Sequence, residues 1–128
     1  MRTGILIPAG TAFTKDSFID AIKARRVFAT MDKTGQLVLM ANGRVMGERF
    51  TNSGALALTA HFASASGKQV AGVKLMEGVP GRNGTVSVLS ELSSFTFTPA
   101  PGEHFYYARV TQDDGNILWS APIWVTLA

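Results

Sequence analysis

Two periods divide the pattern of apolar and polar positions along the chain. Over residues 15–26 the apolar side chains Phe18, Ile19, Ala21 and Ile22 recur at helical spacing and define one stripe. Thr14 or Asp16 can serve as N-cap, Asp16 and Asp20 lie toward the positive end of the helix dipole, and Lys23, Arg25 and Arg26 fill the last turn. One amphipathic helix cannot bury itself, so the stripe requires a surface to pack on. After Arg26 the period falls to two and stays there to the carboxy end.

That second pattern predicts strands over residues 27–31, 36–41, 44–50, 55–63, 69–77, 85–89 and 95–97. Asn42-Gly43 is the strongest local turn signal and predicts a type I′ hairpin, because both residues tolerate positive φ. In 55–63 the alternation runs through Leu56, Leu58, Ala60 and Phe62, and in 69–77 the apolar positions are Val70, Val73, Leu75 and Met76. The stretch FYYARVTQDDGNILWSAPIWV closes the chain as a hairpin around residues 112–116, with Pro122 marking a bulge or an edge in its second arm. In the first arm Tyr106, Ala108 and Val110 point inward, leaving Phe105, Tyr107 and Arg109 on the other face, where Trp119 or Trp124 can join them.

Eight or nine strands at such spacings predict a mainly β fold, an immunoglobulin-like antiparallel β-sandwich preceded by one N-terminal α-helix. The composition changes character at Arg26, which sets the units as 1–26, a segment with the helix, and 27–128, the sandwich.

Length and charge narrow the classes of function. A chain of 128 residues, 46% hydrophobic and 16% charged, is long enough to bury a core without metal or disulfide staples. Having no cysteine, it has no disulfide framework, thiolate zinc site or cysteine nucleophile, and it suits cytosol and periplasm alike. The formal charge of +3 comes from scattered basic residues with only Arg25-Arg26 adjacent, unlike the clustered cations of a nucleic-acid surface. No run reaches the roughly 18 apolar residues of a membrane span. The amino end, MRTGILIPAGTAF, has one Arg before a short apolar run broken by Gly4, Pro8 and Gly10, a poor signal peptide.

Candidate chemistry is sparse. His61 and His104 are the two histidines, short of the three or four converging ligands a zinc or manganese site needs. The loop over residues 78–84 has glycines and Arg82, but a strand follows it where a phosphate cradle has a helix N-terminus. Asn83-Gly84-Thr85 matches a glycosylation sequon, incidental without export. Ser64, Ser66, Ser93 and Ser94 sit in polar runs with no nucleophile elbow, and Asp113-Asp114 lies in a turn where neighbouring side chains diverge. The residues therefore predict a non-catalytic chain. Its exposed aromatics leave three roles open: docking within a larger polypeptide, ordinary packing, or stacking on a carbohydrate.

The stretch RTGILIPAGTAFTKDSFIDAIKARRVFAT resembles the final barrel helix and exit strand of PHP-type metal-dependent hydrolases of the CehA/McbA-like group. The pieces ANGRVMGERF, VAGVKLMEG and YYARVTQDDGNILWSAPIWV are similar to the β-rich tail that follows the barrel in those proteins. The family's His-x-His pair and its further metal-binding His, Asp and Glu residues have no counterpart here, the resemblance beginning just downstream of them. It therefore implies an accessory domain that holds no cofactor itself. Divalent metals are expected only in an upstream catalytic domain of the same polypeptide, which is also the expected partner. On this reading Phe18, Ile19 and Ile22 are the helix face that packs on the barrel, and Phe105, Tyr107, Arg109, Trp119 and Trp124 are the docking or ligand surface. Apart from its barrel, the segment 1–26 either folds back on the sandwich or is the least ordered part, and self-association is possible. The alternative is a freestanding module that binds carbohydrate or protein, with no nucleic-acid or membrane partner on either reading.

Overall fold

Twelve strands and one helix appear in the computed structural model, which describes residues 1–82 and 84–128. In chain order they are β1 (Arg2–Ile5), α1 (Lys15–Lys23), β2 (Val27–Thr30), β3 (Gly35–Ala41), β4 (Arg44–Val45), β5 (Arg49–Asn52), β6 (Leu56–Ser64), β7 (Val70–Gly78), β8 (Val86–Ser90), β9 (Ser94–Phe97), β10 (Gly102–Gln112), β11 (Ile117–Ser120) and β12 (Ile123–Leu127). The chain is thus mainly β with a single helix near its amino end, arranged as a sandwich of two sheets, antiparallel as expected except where β12 and β5 run parallel.

The larger sheet is built on β10, the longest strand. One edge of β10 pairs with β7, which in turn pairs with β8. The other edge pairs antiparallel with β12 along its first half and with β11 along its second. Beyond β11 lie β2 and then β1, while β12 takes β5 as a parallel neighbour. The smaller sheet runs β4-β3-β6-β9. Alternate residues of each sheet meet between them: Leu37, Leu39, Leu56 and Leu58 from the small sheet against Leu75, Tyr106, Ala108, Val110, Leu118 and Ile123 from the large one, all fully buried. Period-two patterning carries this arrangement because a pleated strand sends successive side chains to opposite faces.

Asn42 and Gly43 have φ of 48° and 80°, joining β3 to β4 as their type I′ preference predicts. Pro122 separates β11 from β12, so the second arm of the terminal hairpin is divided between two neighbours, β2 and β5, as a residue that cannot donate to a ladder allows.

Three features depart from the sequence pattern. The amino end forms a strand that the pattern did not predict, β1, antiparallel to β2, and of the two outcomes expected for the segment 1–26 it is the one that folds back on the sandwich. Gly4 is needed there because the Phe28 ring occupies the space a Cβ would take. Residues 44–50 do not make one strand: β4 stays with the small sheet and β5 crosses to the large one, with Met46 fully buried at the crossing. Finally, α1 ends at Lys23 instead of reaching Arg26. Arg25 takes the left-handed conformation with φ of 59°, its N–H donates to Ile22 O, and the Arg26 N–H donates to Ala21 O. That is a Schellman closure with arginine where glycine is usual.

Candidate docking face

Alternation along β10 sends Tyr106, Ala108 and Val110 into the core and turns Phe105, Tyr107 and Arg109 to the outer face. The registers gather the two tryptophans beside them. Phe105 stands opposite Trp124 of β12 and Gly78 of β7, Tyr107 opposite Met76, and Arg109 opposite Trp119 of β11 and Lys74 of β7. The five candidate residues thus share one face, and each is half-buried. The far end of the Phe105 ring lies against Gly78, where a Cβ would strike it.

Two arginines hold Trp124. The guanidinium carbon of Arg49, its register partner on β5, lies 4.8 Å from the indole centroid, and that of Arg25 lies 5.3 Å from it. Arg49 also pairs with Glu103 at 3.2 Å, and Arg25 Nε donates to Gly47 O at 2.9 Å. Gly47 has φ of +92° and packs so closely on the Ala24–Arg25 backbone that a side chain there would collide with it. The end of α1 is therefore clamped to the sheet, and the Trp124 ring is covered by the guanidinium groups of its own neighbours. None of this clamp was legible in the sequence, because Arg25, Arg49 and Trp124 come from three distant elements.

The helix face behaves differently. Thr14 caps α1, its hydroxyl accepting from the Ser17 N–H at 3.0 Å while Ser17 Oγ accepts from the Thr14 N–H at 2.8 Å. Of the predicted stripe, Ala21 is fully buried, Phe18 and Ile19 are half-buried, and Ile22 is 46% exposed. Phe13, just ahead of the cap, is 77% exposed and meets Phe18 edge to face at 6.4 Å. The sandwich covers one side of the helix and leaves Phe13, Phe18 and Ile22 as a short apolar strip.

The remaining candidates fall into structural roles. His61 is exposed on β6. His104 is buried, its Nε2 within 2.8 Å of Ala100 O and its Nδ1 3.7 Å from Glu77 Oε2, with its ring stacked near Tyr106. Burial, and then the Glu77 carboxylate, hold the Tyr106 phenol far above its usual ionisation range. Among the described residues no three His, Asp or Glu side chains converge as a metal site needs. Asp114 accepts from the Asn116 N–H within the turn and pairs with Lys68 at 3.6 Å. With the Gln112 amide assigned nitrogen toward the carboxylates, it donates to Asp32 at 3.0 Å and Asp114 at 3.1 Å. This polar knot at one end of the sandwich was also invisible to sequence reasoning. The loop after β7 leads into strand β8, and Asn83 of the sequon lies outside the described residues.

The chain matches no protein-family model. It is 31% identical over 136 residues to an uncharacterized protein of Chlamydia pneumoniae, an alignment covering 90% of this chain and 21% of that protein. An uncharacterized protein of Chlamydia trachomatis is 27% identical over 135 residues, again covering 90% of this chain and 21% of the relative. The chain thus spans about a fifth of the length of the curated relatives it matches. The crystal structure of an engineered protein superposes with a TM-score of 0.48 at 13% identity, over 73% of this chain and 20% of the other.

Proposed function

We propose that this chain acts as a non-catalytic accessory domain within a larger polypeptide, docking on an upstream catalytic domain of the PHP type, a metal-dependent phosphoesterase-like hydrolase. The observation that carries the reading is the apolar surface of Phe13 and Ile22, both exposed, with the half-buried Phe18 against Phe13, on a helix that is held to the sheet at its carboxy end. Such a surface is buried favourably by a neighbouring domain, at about 25 cal/mol for each Å² removed from water. The length of the two chlamydial relatives supports the same reading, since a matching region forms only about a fifth of each. The hydrolase assignment rests on the resemblance of FIDAIKARRVFAT and YYARVTQDDGNILWSAPIWV to that family.

A freestanding sugar-binding module needs an open aromatic platform, whereas here two guanidinium groups lie over the Trp124 ring.

Intact mass spectrometry of the endogenous protein, captured with an antibody against this domain, tests the proposal. The expected result is a species far heavier than 13.7 kDa that hydrolyses phosphoesters when manganese or zinc is supplied. A 13.7 kDa species overturns the accessory reading, and a heavy species without metal-stimulated hydrolysis overturns the hydrolase assignment.

A further inference from the structure

Lys74 of β7 and Arg109 of β10 stand directly opposite each other on the outer face of the larger sheet. Like charges in cross-strand register repel, so this pairing lowers stability unless an anion sits between them. Neither side chain forms an ion pair within 4.0 Å among the described residues. Arg109 Nε is buried without a hydrogen-bond partner, an unfavourable state for a group that always carries charge.

The space above the two cations is a cleft of about 320 Å³, to which Gly72, Glu91 and Thr111 also contribute. The topology creates it. β8 pairs with β7 only from Leu75 to Gly78, so the preceding residues of β7 have no neighbour on that edge and the sheet steps down. Gly72, opposite Thr111, presents no side chain, and a Cβ placed on it meets nothing within 4 Å. Room, two cations and the Thr111 hydroxyl therefore meet at one place.

We infer that this cleft is a binding site for a small oxyanion, a phosphate or a carboxylate group. The Arg109 guanidinium suits two oxygens of such a group in its planar fork, Lys74 adds a point charge, and Thr111 supplies a neutral donor. Glu91, exposed at the rim, opposes the anion and sets an upper limit on affinity. The site shares Arg109 with the outer face of the larger sheet and involves none of Phe13, Phe18 and Ile22, on which the docking proposal rests.

Amide NMR titrations of the intact chain at constant ionic strength test it, with inorganic phosphate, acetate, and chloride as control. Saturable shifts confined to Gly72, Lys74, Arg109 and Thr111 are expected with phosphate. Lys74→Gln, at an exposed position, is expected to keep the folded spectrum and weaken binding on the order of tenfold, the effect of one charge-assisted hydrogen bond. Glu91→Gln tightens it, and Lys23→Gln on the helix leaves it unchanged. A matching response to acetate identifies the ligand group as any carboxylate or phosphate, and a response to phosphate alone identifies phosphate. Shifts that do not saturate, that spread over all basic residues, or that persist undiminished in Lys74→Gln overturn the proposal.

Discussion

Arg25 terminates helix α1 in the left-handed conformation and from there carries its guanidinium to within 5.3 Å of the Trp124 ring centroid. A non-glycine residue with positive φ is disfavoured on its own account, and the side chain offsets that cost through the Trp124 contact and the bond to Gly47 O. Arg25→Ala keeps the backbone cost and loses both contacts, so a destabilisation of about 1–2 kcal/mol is expected. Arg25→Gly loses the same contacts but relieves the backbone, and it lies closer to wild type. Denaturant midpoints for the two variants check the order, and an alanine variant as stable as the glycine one contradicts it.

Phe105 and Gly78 make a second coupled pair. Gly78→Ala drives a methyl into the Phe105 ring, and an overpacking cost of about 1–3 kcal/mol is expected. Adding Phe105→Leu to Gly78→Ala vacates the ring position and recovers part of that loss. A double-mutant cycle read by thermal unfolding reports the coupling; strict additivity means that the ring moves aside freely.

Acid stability is expected to run through Asp32. Hydrogen bonds from the Thr34 backbone and hydroxyl hold its carboxyl below the usual value of 3.8, with further help from Lys68 and Gln112. Because the folded state depresses this group, its contribution is present above pH 3.8 and is lost as pH falls through the lower folded value. Asp32→Asn is therefore less stable than wild type near neutrality, and the gap closes on acidification. Unfolding curves at pH 7 and below 3.8 measure it.

Alkaline behaviour belongs to Tyr106. Its folded phenol ionises above the usual 10.0, so the stability tied to the proton is full below pH 10.0 and declines as pH rises beyond it. Its hydroxyl is buried without a well-formed hydrogen bond, although the Glu77 carboxylate lies close enough to act on it, so Tyr106→Phe is expected to change stability little at pH 7 and to flatten the alkaline decline. Ultraviolet titration detects the change: one tyrosine of the wild type ionises only with unfolding, and that step is absent in the variant.

Much of the fold was legible because its information is local. The inward positions of β10 followed from alternation, as Tyr106, Ala108 and Val110 all lie in the core. The turn at Asn42-Gly43 followed from the φ angles those residues tolerate. The joint face of Phe105, Tyr107, Arg109, Trp119 and Trp124 was also foreseeable, since register along a hairpin propagates from its turn. By contrast, a glycine in an apolar run looks like a breaker, so Gly4 hid β1 until the Phe28 ring that requires it was in place.

What the sequence by itself determined is most of the strands after Arg26, the capped helix, and which side of those strands is apolar, because periodicity, capping and turn chemistry act over a few residues. What only the tertiary structure decided is which elements become neighbours: β5 leaving the hairpin to run parallel to β12, Arg25 and Arg49 meeting over Trp124, and Lys74 facing Arg109 beside a cleft. Those encounters depend on closing the two sheets over one core, a balance among all the strands that no local pattern contains.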